Sequence, residues 1–146
     1  MKAREFIDRL DEPRVVAAIR HAESRTSGEI RVFVSSRDVD DPLDRARRRF
    51  EKLGLTRTRE RNAVLLYFAP VSRKFAVVGD VGVHEKCGAG FWEEIVAEVR
   101  AHLRAERFTE AVAHAVEKCG ALLAQHFPPR PGGGENELPD AIARDD

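Results

Sequence analysis

The sequence predicts an α/β fold: a small mixed sheet, a parallel β-α-β unit plus an antiparallel hairpin strand, with helices on both faces as an α/β/α sandwich. Three observations predict it. Residues 64–69 are apolar on both faces, as suits a strand buried on both sides of a sheet. Residues 75–78 form a second apolar run after a turn that contains Pro70 and Ser72, the pattern of a hairpin. Apolar residues recur at helical spacing before and after this hairpin, which supplies covering helices.

The elements follow in order. Residues 3–10 have the composition of a short helix. Asp11-Glu12-Pro13 is a helix start, a capping acceptor followed by Pro in the first turn. The helix runs to about Ser24, with Val15 or Val16, Ile19 and Ala22 or Glu23 in register, and Thr26-Ser27-Gly28 stops it. Residues 29–35 are the first strand, with Ile30, Val32 and Val34 on one face and Phe33 on the other. Asp41-Pro42 repeats the capping pair. Leu43, Ala46, Phe50 and Leu53 make a narrow stripe on the helix that follows, and Gly54 ends it. Residues 55–61 read as a polar loop before the hairpin. Residues 83–90 hold at most one helical turn. Residues 91–105 and 108–127 are amphipathic helices, the second closed by Pro128-Pro129. The expected organisation is a helical segment at 1–11, an α/β domain at 12–127 and a flexible acidic tail at 128–146, with Leu138 and Ile142 as docking points.

With 146 residues the chain is long enough for one domain with a real core. The net charge is zero, which argues against steering of the whole molecule to nucleic acid or acidic lipid. Charge is unevenly spread, however. Residues 45–61 hold eight Lys or Arg against two Glu, and residues 135–146 hold five Asp or Glu against Arg144. A solvated face is the better reading of the basic helix 42–53. The complementary acidic tail makes folding of one onto the other, within a chain or between copies in a homo-oligomer, an alternative. Cys87 and Cys119 do not form a disulfide framework, and a cytoplasmic location is expected. The N-terminal stretch lacks the continuous apolar run of a signal peptide. No run approaches the roughly 20 apolar residues of a membrane span, so stable membrane insertion is not expected.

The topology brings the chemistry together. Strand–helix–strand implies a parallel pair, so the starts of the first two strands and the end of the third share one edge. Glu29, Glu60, Arg61, Asn62 and Asp80 should converge there, with Gly82, His84 and Glu85 immediately after. Carboxylates, an amide oxygen and free backbone are the ligand set of a hard cation, calcium or magnesium. Glu29, Asp80, Glu60 and Glu85 are the metal candidates. The bland alternative is a set of solvated strand-end residues.

The same residues resemble the TPM-domain family, which includes thylakoid-lumen proteins of photosystem II repair and many bacterial secreted or membrane-anchored proteins. That family has a Gly before an apolar strand, as in Gly28-Glu29-Ile30-Arg31-Val32. It has Asp-Asn-Gly before a strand of Val and Leu, matched here by Arg61-Asn62-Ala63-Val64-Leu65-Leu66. It has a Gly-x-Gly-Leu-Glu-like turn after the hairpin, matched by Gly79, Gly82, Val83 and Glu85. The resemblance covers about residues 12–127 and looks like a soluble bacterial-type branch. It implies an α/β/α sandwich with a pocket at the strand-end loops, where some members bind calcium or other divalent ions. Phosphatase activity is attributed to the plant branch. The sequence departs from the pattern at Arg61, where the motif has Asp, and at Ala63, where it has Gly. Glu60 can replace the lost carboxylate by a one-residue shift; otherwise Arg61 suits an anion.

Zinc at His84 and Cys87, or at His114 and Cys119, is disfavoured: His114 and Cys119 are five apart on one helix and point in different directions. Gly88-Ala89-Gly90 lacks the Lys-Ser/Thr of a P-loop. No Ser, Cys or His stands beside a base as a phosphoryl acceptor, and no residue is assigned as catalytic. The sequence therefore favours a module binding a small ligand, a divalent metal or a protein partner over an enzyme. A divalent-metal-dependent phosphatase is the first alternative, and an interaction protein using the basic helix and acidic tail is the second.

Overall fold

The computed structural model of the chain describes residues 1–88, 90, 92–130 and 142–145. Helices α1 (Ala3–Asp8) and α2 (Glu12–Ser24) precede strand β1 (Glu29–Val34), and α3 (Pro42–Lys52) leads to β2 (Ala63–Ala69). Strand β3 (Lys74–Gly79) returns, followed by α4 (Val81–Cys87), α5 (Trp92–Arg104) and α6 (Phe108–His126). A two-residue strand, β4 (Ala143–Arg144), completes a four-stranded sheet of order β3-β2-β1-β4. β1 runs parallel to β2 and β4, while β3 is antiparallel to β2.

The helix starts follow the expected caps. Asp11 Oδ1 accepts from Arg14 N–H and Asp41 Oδ1 from Asp44 N–H, each at 3.2 Å. Each satisfies one of the N–H groups that a first turn leaves without a helical partner.

β2 is buried along its whole length, as its two-faced apolar run requires. Val64, Leu66 and Phe68 face a large cluster that includes Ile30, Val32, Val15, Ile19, Val116 and Leu123. Leu65 and Tyr67 face a smaller cluster with Phe33, Ala46, Phe50 and Leu55. Five helices, α1, α2, α4, α5 and α6, thus cover one face and α3 the other. On the thin side Tyr67 stacks on Phe33 with ring centroids 5.5 Å apart, and Arg49 of α3 lies 4.5 Å over the Phe33 ring. α1 joins the main core through Phe6, whose ring lies 5.8 Å from Phe68 and 5.1 Å from Phe108.

Three stretches differ from the sequence reading. Residues 83–90 are expected to hold at most one helical turn, but α4 is a seven-residue helix that starts at Val81, is capped by Asp80 and buries Gly82 and Val83. Residues 55–61 are not a plain polar loop: Leu55–Arg57 is a 3-10 turn that buries Leu55, and Thr58 is buried beside it. A single apolar residue has no periodicity to announce it. Residues 142–145 are not free tail, since Ala143 and Arg144 pair with Phe33 and Val34. Ile142 packs on the main core, as expected of a docking point. Leu138 lies outside the described residues.

Candidate functional site

The register places Glu29 beside Ala63 and Gly79 beside Val64. The starts of β1 and β2 and the end of β3 therefore share one edge. Asp80 N–H donates to Ala63 O at 3.0 Å, and Gly82 N–H to Arg61 O at 2.9 Å, so the turn after β3 is stitched to the loop before β2.

Arg61 sits at the centre of this edge. Its backbone is left-handed, with φ 52°, a conformation that costs a non-glycine residue roughly 1–2 kcal/mol. The return is a two-pronged ion pair: Nε donates to Asp80 Oδ2 at 2.7 Å and Nη2 to Asp80 Oδ1 at 2.8 Å. A guanidinium fork matched to a carboxylate is the strongest kind of side-chain pairing. Asp80 is nearly inaccessible, its side chain 4% exposed, while that of Arg61 is 44% exposed. The bonds to Asp80, and then its charge, raise the Arg61 pKa above its ordinary value. Asp80 also caps α4, its Oδ1 accepting from Val81 N–H at 2.8 Å.

A second group adjoins the first through residues 60–62. Asn62 is fully buried, and its N–H donates to Thr58 Oγ1 at 3.1 Å. Its Nδ2 donates to Ser27 Oγ at 3.1 Å and to Glu60 Oε2 at 3.4 Å, and the Ser27 hydroxyl donates to the same Glu60 oxygen. Asn62 Oδ1 is buried with no hydrogen-bond partner among the described residues. Glu29 is buried at the start of β1. His84 and Glu85 are exposed on α4, and His84 N–H donates to Asp80 O at 3.2 Å.

The edge thus gathers Glu60 with Asn62, and Arg61 with Asp80 and Gly82. Ser27 and Thr58 belong to it as well and were not singled out in the sequence. Ser27 reads there as part of a helix stop and Thr58 as part of a polar loop. The one available signal was their hydroxyls, within a few residues of Glu29 and Asn62.

The TPM domain family matches residues 2–122. The chain belongs to the TPM-domain family. A solved structure of similar shape is that of the BA42 protein of the psychrophilic bacterium Bizionia argentinensis, determined by NMR. It is 33% identical, with 92% of each chain covered and a TM-score of 0.84. The N-terminal domain of a P. gingivalis protein shares the fold at 16% identity and a TM-score of 0.59, over 76% of this chain and 72% of that one. No curated protein matches the chain.

The TPM chain's own donors bear on whether a divalent cation fits. Both oxygens of Asp80 are engaged by Arg61, so a cation at Asp80 has to compete with a guanidinium already in place. Glu60 and the buried Asn62 Oδ1 are hard oxygen donors of the right kind. Among the described residues no group of three or more His, Cys, Asp or Glu is arranged to hold a metal ion. As the side chains stand, Asp80 can join a cation's donor set only if Arg61 moves away. Neither of two cavities, of about 550 and 490 Å³, is lined by a residue of the strand-end group.

The remaining candidates of the TPM chain resolve simply. Cys119 is fully buried in the main core, and burial pushes its thiol pKa far up, as befits a small hydrophobe. Burial also raises Cys87, which weakens it as a nucleophile. His114 bonds not to a cysteine but to Glu98 of α5, through Nε2 and Oε2, and its ring centroid lies 5.3 Å from that of His102. Glu98 and His102 are four apart on α5, a spacing that puts both on one helix face; that spacing was the signal for this contact.

Proposed function

We propose that this TPM domain is a non-catalytic binding module whose strand-end edge contacts the acidic group of a small ligand or protein partner through Arg61. The observation that carries this reading is the Arg61–Asp80 fork. Asp80 uses Nε and Nη2 and leaves Nη1 to a ligand, on a side chain still 44% exposed. A pre-positioned guanidinium loses little rotamer freedom on binding.

The metal reading of the same edge is the second proposal, and the buried oxygen of Asn62 favours it. Glu29, Asp80 and Glu60 or Glu85 would hold calcium or magnesium, and such an ion would supply positive charge to a phosphate ester. Asn62 would then orient the ester, which is the phosphatase alternative.

NMR titrations with inorganic phosphate, acetate and calcium, on wild type, Arg61→Ala and Arg61→Asp, separate the two. The anion reading expects the Arg61 Nε–H signal of wild type to follow phosphate or acetate, Arg61→Ala to lose that response, and calcium to bind only Arg61→Asp. Calcium uptake by wild type, without any anion response at Arg61, sinks the anion reading in favour of the metal.

A further inference from the structure

A cavity of about 550 Å³ opens at the end of the sheet opposite the Arg61 edge, within the size range of small-molecule sites, roughly 300–1,000 Å³. β2 has seven residues, so the two ends lie about 20 Å apart. The floor is aromatic. Phe68 and Phe75 pair across β2 and β3 with centroids 4.7 Å apart, and Phe6 leans on Phe68 and Phe108. Arg100, Leu103 and Arg104 of α5 line one wall, and their spacing keeps them on one helix face. Arg73, which closes the turn before β3, and Lys74, the first residue of β3, also line it.

Charge decides what this cavity would take. Its lining holds Arg73, Lys74, Arg100 and Arg104 against Glu106. That carboxylate is already engaged by Arg9 at 3.2 Å, and the Arg9 guanidinium lies 4.5 Å over the Phe108 ring. Lys74 Nζ donates to Asp40 O at 2.7 Å, which holds the ammonium without neutralising it. Arg73, Arg100 and Arg104 have no carboxylate partner among the described residues. The backbone of Arg73 is left-handed and closes the Pro70–Ser72 turn by an N–H bond to Pro70 O at 3.1 Å. All three are exposed at the rim, so positive charge without a neutralising carboxylate surrounds an apolar floor.

We propose that this cavity binds a small amphiphilic anion, a carboxylate or phosphate head on an acyl or aryl body. The body lies along Phe75, Phe108 and Leu103, and the head meets the guanidinium forks of Arg100, Arg104 and Arg73, which match both oxyanions in geometry. The site is separate from the Arg61 edge, so Arg61 variants leave it intact.

The test uses the full chain and five probes followed by amide shifts. Octanoate and octyl phosphate carry both chain and charge; 1-octanol carries the chain alone; acetate and inorganic phosphate carry the charge alone. At least one of the first two should shift the amides of Phe75, Leu103 and Phe108, at least about tenfold more tightly than the other three. The tighter of the two names the head group. The double variant Arg100→Ser, Arg104→Ser should weaken that binding by about tenfold. Arg45→Ser with Arg48→Ser, the same loss of charge on α3, should leave it unchanged. The proposal is overturned if neither octanoate nor octyl phosphate moves these amides, if 1-octanol binds equally well, or if the α3 variant weakens binding as much as the α5 one.

Discussion

A methyl group on Gly82 would stand 2.3 Å from Glu60 O and 2.7 Å from Arg61 O. Both are backbone atoms of the loop that holds Arg61, and no side-chain rotation relieves the contact. Gly82→Ala should therefore push the two loops apart. The expected loss is about 1–3 kcal/mol, the usual size of an overpacking penalty, read as a lower denaturant midpoint. It should also loosen the Arg61–Asp80 fork, seen as faster exchange of the Arg61 Nε–H. An unchanged midpoint and exchange rate would mean that the loops do not depend on this close approach. The same residue-scale geometry gives Arg61 two tasks at this edge. The left-handed backbone aims the loop carbonyl at Gly82 N–H, while the side chain supplies the charge that a buried Asp80 needs.

α2 and α6 meet closely because residue 120 is glycine. A Cβ there would lie 2.5 Å from Ala22 Cβ and 3.2 Å from Ala22 Cα. Two effects of Gly120→Ala oppose each other. Alanine gains about 1 kcal/mol of intrinsic helix propensity. Separating two packed helices costs about 1–3 kcal/mol, and Val15, Ile19, Val116 and Leu123 share the cluster that would have to open. The second effect wins, and the variant should unfold at lower temperature than wild type. A higher melting temperature would show that α2 can retreat without loss. At this scale much was legible beforehand. Capping pairs at Asp11 and Asp41 marked two helix starts, and the apolar run of β2 marked the central strand. β4 was not legible, because two residues held by backbone pairing with Phe33 and Val34 leave no period in the sequence.

Across the whole molecule, β4 links the acidic tail to the thin face of the sandwich. Asp145 takes Ser36 N–H at 2.6 Å and Ser35 Oγ–H at 3.3 Å, with Arg37 Nε at 3.8 Å. Burial alone would raise its pKa; the bonds from Ser36 and Ser35 and the charge of Arg49 outweigh that, and the carboxyl titrates below its ordinary value. A depressed folded pKa adds stability that is present above the unfolded pKa and lost as pH falls through the folded one. Docking of the tail should therefore hold at neutral pH and weaken in acid below about pH 4. Exchange of the Ser36 amide, corrected for its intrinsic pH dependence, should accelerate in that window. Asp145→Asn should be weaker at neutral pH and flat across it. An acid response that survives Asp145→Asn would assign it to another group.

Periodicity and turn chemistry determined, from the sequence by itself, the α/β class, the order of helices and strands and the convergence of strand ends. These are local signals, since each rests on residues within a turn or two of one another. Only the tertiary structure decided what happens at the convergence. Arg61 and Asp80 are 19 residues apart, and nothing local says that the cation in the place of a motif carboxylate would turn onto the next carboxylate. The aromatic floor under Arg100 and Arg104 was hidden for the same reason. It is assembled from α1, β2, β3 and α6, and its chemistry exists only where their separate apolar faces meet a basic wall.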